Sequence, residues 1–519
     1  MQNNLIPIFT SVLLMSFVVF GNTVNTEIIT TEPPRKIDRR FLSFSIDTAN
    51  FLGIKFWNSD QAPTQKLNLE DPFLQQVTKN LSPAYLRIGG SDADKIIYDF
   101  QNTTGINNAP LPPHTSGTFR TSDWERLQAF TSATQTALIF TINAGPSARI
   151  ANGSWNGSNF RELLLFSQER QDAPVVWEFG NEVNAHWLHF GVQNQISAAT
   201  YAHDFQTARN LISSIRPRDR IVGPASAYWP ILGEPIPWLT EILPGFLKNA
   251  DFPLDVITWH FYPTQSDRCG FGVRKANQEQ FYKLETFNEV RQWAFNIRQE
   301  RDRFHPQAKI WLGESGPAQC GGQPKLSNRF LSTLWWLDHL GTIAYMGNEV
   351  LVRQSLIGSD YGLLDQTSGQ PNPDYWSAIL WKQLMGDRVF GVQGMNTLNP
   401  GTTRIYSHCL PLTSPYRNLG DLSLLYINLS PVEETWVTLP TDLIEPSSLW
   451  HQWQMTSTSP LSQKLKINGD TPIILNNGYL PDLAPLNYNI QQTPTLKLPP
   501  LSAAFVLVQS TEKIHKICK

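Results

Sequence analysis

Two glutamates, each closing an apolar run, are the residues of this chain best placed to do chemistry. Val175–Asn184 reads VVWEFGNEVN and carries Glu182; Lys309–Gly316 reads KIWLGESG and carries Glu314. Each stretch has the form of a buried strand that stops at a polar residue, which is how barrel enzymes present reactive groups at the C-terminal rim. Glycosidic cleavage is a common use of paired carboxyls. One protonates the leaving oxygen, the other meets the charge that develops at the anomeric carbon, and their surroundings push their pKa values apart. Asn181 could hold a sugar hydroxyl beside Glu182, which makes Glu182 the candidate acid/base. Glu314, at the end of a dry strand, is the candidate nucleophile. Carboxyls about 5–5.5 Å apart would give retention of configuration. Either glutamate alone could equally be a rim residue held in a salt bridge; matching strand ends and Asn181 favour the catalytic reading of the pair.

Eight apolar runs supply the strands such a site needs: Phe41–Ile46, Ala84–Ile88, Ala137–Ile142, Pro174–Phe179, Arg220–Gly223, Leu254–Phe261, Ala308–Leu312 and Glu349–Leu356. Amphipathic stretches lie between them. Ser197–Ile215 repeats Tyr201, Phe205, Ala208 and Leu211 at helical spacing, and Gln278–Phe304 is a long charged helix pattern. Ser122 with Glu125 has the form of a capping box. Alternating strands and helices predict a parallel (β/α)8 barrel over 41–387. Several runs end on polar signals that would share one rim: Asp47, Gly89-Gly90-Ser91, Asn143, and His260 with Tyr262. From about Arg388 helical periodicity gives way to short alternating runs such as Arg404–Ser407, Leu422–Asn428, Trp436–Leu439 and Ala503–Val508, broken by Pro, Gly and Asn. That predicts a β-sandwich over 388–519. The segment 23–40 is either a linker or a strand donor to that sandwich.

The bulk properties agree with a secreted, sugar-handling globular protein. A chain of 519 residues is too long for one ordinary core. Seventeen Trp and fourteen Tyr are many, and such rings stack on sugars, although most are expected in the core. A net charge of −3 without a long basic run argues against nucleic acid. Leu5–Phe20 followed by Gly21 resembles a signal peptide over 1–22, despite Thr10, Ser11 and Ser16 and the lack of a preceding Lys or Arg; an uncleaved anchor is the alternative. No later segment is apolar enough to span a bilayer, so no stable membrane insertion is expected after cleavage. Sequons occur at Asn80, Asn102, Asn152, Asn156 and Asn428, the last a poor acceptor because Pro431 follows Ser430. Four cysteines allow three pairings; Cys269–Cys320 and Cys409–Cys518 keep each bridge within one domain. The ten histidines show no HExxH or paired-ligand spacing, so neither metal nor cofactor is expected.

The stretches LSPAYLRIGGSDAD, WEFGNEVN, VITWHFYP, WLGESGPAQCGG and WLDHLGTIAYMGNEVLVRQSLIGSDYGLLD resemble, in order, the heparanase-like glycoside hydrolases of family 79. The resemblance runs from Phe41 to about Val392. It implies a retaining (β/α)8 barrel with a β-sandwich that acts on β-linked glucuronic acid, Glu182 as acid/base and Glu314 as nucleophile. It further implies substrate contacts at Asp47, Ser91, Asn181, His260, Tyr262, Gly321 and Tyr361. Backbone N–H groups near Cys320-Gly321-Gly322 and the Tyr361 hydroxyl suit a uronic carboxylate. The alternatives are a satisfied core histidine at His260, packing at Tyr361 and a plain turn at Gly321-Gly322. Arg353, inside a strand, is expected to make an internal ion pair.

Three departures from the family pattern bear on substrate. Tyr98–Ser122 is short where mammalian heparanase precursors carry an excised basic linker, so one uncut chain is expected. After Gly223-Pro224 the chain reads ASAYWP, without the basic cluster that relatives place near the cleft. Cys320 stands where the family commonly has glycine. Together they favour an exo-acting β-glucuronidase, secreted or lysosomal, over an enzyme for long sulfated chains. A retaining β-glycosidase for another sugar, such as arabinose or xylose, and an inactive glycan-binding homologue are the competing readings.

Overall fold

The computed structural model describes residues 23–56, 64–100, 111–151, 153–230, 241–270, 272–493 and 495–519. The expected signal peptide and the sequons at Asn102 and Asn152 lie outside the described residues. Eight parallel strands close into a barrel. In chain order they are β1 (Leu42–Asp47), β2 (Ala84–Gly89), β3 (Thr136–Ile142), β4 (Val176–Phe179), β5 (Arg220–Tyr228), β6 (Val256–Phe261), β7 (Lys309–Ser315) and β8 (Val350–Arg353). Each coincides with one of the eight apolar runs.

The two-residue period of a strand explains how the lumen is filled. A lower layer of Tyr85, Ile139, Val176, Val222, Val256, Trp311, Val350 and Val352 forms one buried apolar cluster. Two residues further along the same strands come Arg87, Thr141, Glu178 and Thr258, and then His260, all buried. The barrel is therefore dry below and charged above. On its outside, helices such as Thr121–Thr134, Ala198–Ile215, Leu284–Phe304 and Phe330–Tyr345 cover the alternate residues. There the Trp124 and Trp177 rings stack at 5.7 Å.

Beyond the barrel, a nine-stranded sheet faces a three-stranded one among the described residues. Leu422–Asn428 (LSLLYIN) is buried throughout because both of its faces are covered. Leu424 and Tyr426 join the core between the sheets, whereas Leu425 and Ile427 pack with the barrel helices. The segment after residue 22 does donate strands: Thr23–Val24 pairs with Thr435–Thr438, and Ile28–Ile29 and Arg35–Lys36 pair with Arg388–Val392. Cys409–Cys518 and Cys269–Cys320 are both disulfide-bonded. The first closes a loop of 109 residues, for which chain entropy contributes roughly 4–5 kcal/mol.

Two expectations are corrected. The helix expected from a Ser122–Glu125 box begins at Thr121 instead, and the Asp123 carboxylate accepts from the Arg120 N–H at 3.1 Å. Asp123 is two residues nearer the true start than Glu125, so it reaches the open N–H. The all-β reading of the C-terminal part also missed a helix, Glu512–Cys518, capped by Thr511. At seven residues it is too short to show periodicity, and it holds Cys518 against Cys409.

Candidate active site

Glu314 reaches the lumen because β7 carries a bulge. Trp259 lies opposite Leu312 but His260 opposite Glu314, so Gly313 is the extra residue. A bulge re-aims the side chain that follows it. Gly313 also leaves room: a Cβ there would sit 3.2 Å from Glu178 Oε1 and 3.5 Å from His260 Nε2. Glu182 arrives differently, on a turn beyond β4. Gly180 has φ 75° and Glu182 itself φ 47°, both left-handed. A Cβ at Gly180 would fall 2.7 Å from Val183 Cγ1, so only glycine fits there. The turn is pinned by buried Asp94, whose carboxylate accepts from the N–H groups of Asn181 (2.9 Å) and Ala144 (2.7 Å) and pairs with His186 at 3.1 Å. Glu182 N–H in turn donates to Ala225 O at 3.1 Å.

The two glutamates meet. Glu182, His260 and Glu314 each offer an atom lying within 4.8 Å of the others. His260 Nδ1 is 3.1 Å from Glu182 Oε1, and Trp229 Nε1 donates to the same oxygen at 3.3 Å. Glu314 accepts from Tyr262 OH at 2.6 Å on one oxygen and from Arg87 Nη1 at 2.6 Å on the other. Arg87 also donates to Glu178 Oε2 at 2.8 Å and Asn181 Oδ1 at 2.8 Å, so one guanidinium fork ties three elements together.

Burial and charge set the protonation of this cluster. Burial pushes Glu182 above the ordinary carboxyl range; His260 opposes the rise and the nearby Glu314 adds to it. Glu178 is buried as deeply, but the Arg87 charge, the His260 ring 3.9 Å away and the hydrogen bond from Thr141 outweigh burial and bring it to about 2. Burial alone would lower His260, yet the carboxyls of Glu314, Glu178 and Glu182 raise it to about 9. Asp47 is pushed well up, by burial first and then by Asp92, against the Ala49 N–H. His189 is lowered to about 3 by burial and by Lys95. Glu182 is the raised carboxyl, and beside it both Glu314 oxygens accept hydrogen bonds, an arrangement that suits proton donation by the first and attack by the second. By donor type and spacing, Glu182, His260 and Glu314 are also the residues that could hold a cation; the protonated His260 ring already supplies positive charge at that point.

Asp47, Ser91, Glu182, Tyr262, Glu314, Gly321 and Tyr361 line a single pocket at the rim. Asn181 and His260 stand behind it, 2% and 0% exposed, with Asn181 Oδ1 taken by Arg87 and His260 directed at the glutamates. Asn143 is spent away from the pocket, its amide donating to Ile96 O on a neighbouring segment and to Ser147 Oγ in its own loop. Arg353 makes the expected ion pair, 2.6 Å from Asp374, and grips Tyr361 O at 2.9 Å. Sequence reasoning missed Arg87 and Glu178 beneath the site, and Phe56, His189, Trp229, Gln319 and Gln354 on its walls. Arg87 and Glu178 did carry a signal. Each is a charge inside an otherwise apolar strand, a costly placement unless the two are paired.

Residues 52–341 match the model of the glycosyl hydrolase family 79 N-terminal domain. Heparanase of Mus musculus is 27% identical over 535 residues, covering 95% of this chain and 94% of that protein. Baicalin-beta-D-glucuronidase of Scutellaria baicalensis is 26% identical over 522 residues, covering 94% and 93%. In architecture the chain is similar to the GH51 arabinofuranosidase of Xanthomonas axonopodis pv. citri, with a TM-score of 0.65 at 13% identity over 93% of this chain and 99% of that one. With a match across more than half its length and the two glutamates at the rim of its barrel, the chain belongs to glycosyl hydrolase family 79, the glycoside hydrolases of the heparanase and β-glucuronidase type.

Proposed function

We propose that the protein is a secreted, retaining β-glucuronidase that acts as a single chain on terminal β-linked glucuronic acid. The observation that carries this reading is the approach of Glu182 and Glu314 within 4.8 Å across one pocket, near the separation typical of double displacement. In the first step the Glu314 carboxylate attacks the anomeric carbon while Glu182 gives its proton to the departing oxygen. The C–O bond to the aglycone breaks and a glycosyl ester forms. In the second step Glu182, now a base, takes a proton from water, whose oxygen displaces Glu314 from the same carbon. The ester breaks and Glu182 is protonated again. Tyr262 and Arg87 would hold Glu314 in line, and His260 with Trp229 would steady the charge on Glu182 between the steps.

A uronic acid is favoured by the turn at Gly321 and the Tyr361 hydroxyl on the pocket wall, and by the glucuronidase named among the relatives. Asp47 and Ser91 lie where ring hydroxyls would bind. Two disulfides support a secretory route, and among the described residues no helix is long and apolar enough to cross a membrane. Exo action is supported by the lack of Lys or Arg in Ala225–Pro230. Because one fold hosts many sugar specificities, the test compares p-nitrophenyl β-glucuronide with the matching arabinoside and xyloside. Preferential cleavage of the glucuronide, abolished in Glu314→Gln, is expected. Faster cleavage of a pentoside, or no turnover of any of them, would refute the reading.

A further inference from the structure

The wall of the pocket that faces the expected carboxylate is a turn of unusual backbone. Cys320, Gly321 and Gly322 are successively left-handed, with φ of 61°, 83° and 80°. Such a run has no hydrogen-bond ladder of its own and must be held from outside. Three restraints hold it. The first is covalent: Cys320 is bonded to Cys269, on the loop that follows β6. The second is a short backbone zipper between the same loops, Gln319 N–H to Thr264 O at 2.9 Å and Ser266 N–H to Gln319 O at 3.2 Å. The third is Arg268, next in sequence to the disulfide. Its Nη1 donates to Gly321 O at 3.3 Å and Gly322 O at 3.0 Å, and its Nη2 pairs with Asp360. Asp360 N–H adds a further bond to Gly321 O at 2.9 Å.

These contacts fix the direction of the peptides. Gly321 O points to Arg268 and Asp360; by peptide planarity the Gly322 N–H, antiparallel to it, points to the opposite side of the turn. Among the described residues that N–H meets no hydrogen-bond partner. A side chain at Gly322 would clash with Tyr361 N at 2.8 Å, so turn and tyrosine form one continuous wall. Arg353, itself paired with Asp374, holds the Tyr361 carbonyl. The wall is thus braced on both flanks, while Glu182 sits on the turn that Asp94 pins and Glu314 is held by Arg87 and Tyr262.

We propose that the Cys269–Cys320 disulfide and Arg268 are positioning elements for substrate selection. They hold the Cys320–Gly322 turn so that it recognises an anionic substituent on the sugar, and they leave the bond-breaking machinery untouched. This rests on the uronic-acid reading given above, and the experiment separates the two. Wild type, the Cys269→Ser/Cys320→Ser double variant and Arg268→Gln are compared on p-nitrophenyl β-glucuronide. Each is also compared for inhibition by a glucuronic-acid-configured iminosugar and by its neutral glucose-configured counterpart.

In both variants KM for the glucuronide and Ki for the acidic iminosugar are expected to rise about tenfold, the scale of weakening one charge-assisted hydrogen bond. kcat should stay within about twofold and Ki for the neutral iminosugar should not move. Loss of kcat together with affinity for both inhibitors, or no change in either, would overturn the inference. If the cysteine variant does not fold, Arg268→Gln, which keeps the disulfide, decides the question. A wild type that does not prefer the acidic iminosugar overturns the uronic-acid reading itself, and this inference with it.

Discussion

At the scale of single residues, the site is a problem in buried charge. Glu178, Glu182, Glu314, Arg87 and His260 share one dry compartment as a connected set of charges. Burial raises Glu182, so hydrolysis should lose its general acid only as pH climbs above the ordinary carboxyl range. His260 makes a matching prediction for stability. Its folded pKa of about 9 lies above the reference 6.5, so its contribution is complete below 6.5 and disappears as pH rises through 9. Glu178 has the opposite sign: lowered from 4.5 to about 2, it contributes above 4.5 and loses that contribution as pH falls toward 2. Urea denaturation between pH 6 and pH 10 (about the span of the His260 shift) should therefore show wild type weakening on the alkaline side, with the slope largely removed in His260→Gln. Parallel curves for the two proteins would contradict the assignment.

At the scale of elements, much of this was readable in advance. The eight strands, four to nine residues long, follow from apolar runs set between amphipathic stretches, and the rim position of Glu182 and Glu314 follows from where those runs stop. The bulge at Gly313 was not readable, because strand pairing shows in the register with β6 and not in KIWLGESG alone. Arg87 and Glu178 do stand out in the sequence as charges within apolar runs, but their pairing does not, because only barrel closure brings the two together. The Glu182 turn shows the same dependence on distant chain, since Asp94, nearly ninety residues earlier, fixes it. Asp94→Ala would leave the N–H groups of Asn181 and Ala144 without their acceptor. Each such buried donor costs roughly 1–3 kcal/mol. A drop of that order in unfolding free energy, with kcat falling at least tenfold as Glu182 loses its place, is the expected outcome. A variant with normal kcat would show that the turn does not need Asp94.

At the scale of the whole molecule, the sheet domain is seated on the barrel through matched shapes and a buried polar network. A Cβ at Gly341 would lie 2.3 Å from Tyr406 Cγ, so that ring rests directly on the backbone of helix Phe330–Tyr345. The Tyr406 hydroxyl donates to Asp338 at 2.6 Å and receives from Arg291 at 3.0 Å. Gly341→Ala should therefore destabilise by about 1–3 kcal/mol or more through overpacking, visible as a lower thermal midpoint. An unchanged midpoint would mean that the seam yields freely. The sequons divide at this scale too. Asn428 is fully buried and its amide donates to three carbonyls, those of Glu433, Leu498 and Pro499. Asn80 spends its amide on Tyr375 OH and Gly478 O, bridging barrel and sheet domain. Asn156 is exposed. Expressed through a eukaryotic secretory route, the protein should carry glycan at Asn156 and none at Asn80 or Asn428, as read by glycopeptide mass spectrometry; occupancy at either of the latter would contradict this placement.

Closure of the barrel is what brings a turn after the fourth strand against a bulge in the seventh, and the account depends on the two carboxyls sharing one anomeric carbon. Trapping the glycosyl intermediate tests this most directly. The protein is treated with a glucuronic-acid-configured cyclophellitol-type epoxide, digested, and sequenced by mass spectrometry. One label per chain on Glu314, absent in Glu314→Gln, is the predicted result. A label on any other residue, or hydrolysis that releases the inverted anomer, would contradict the account.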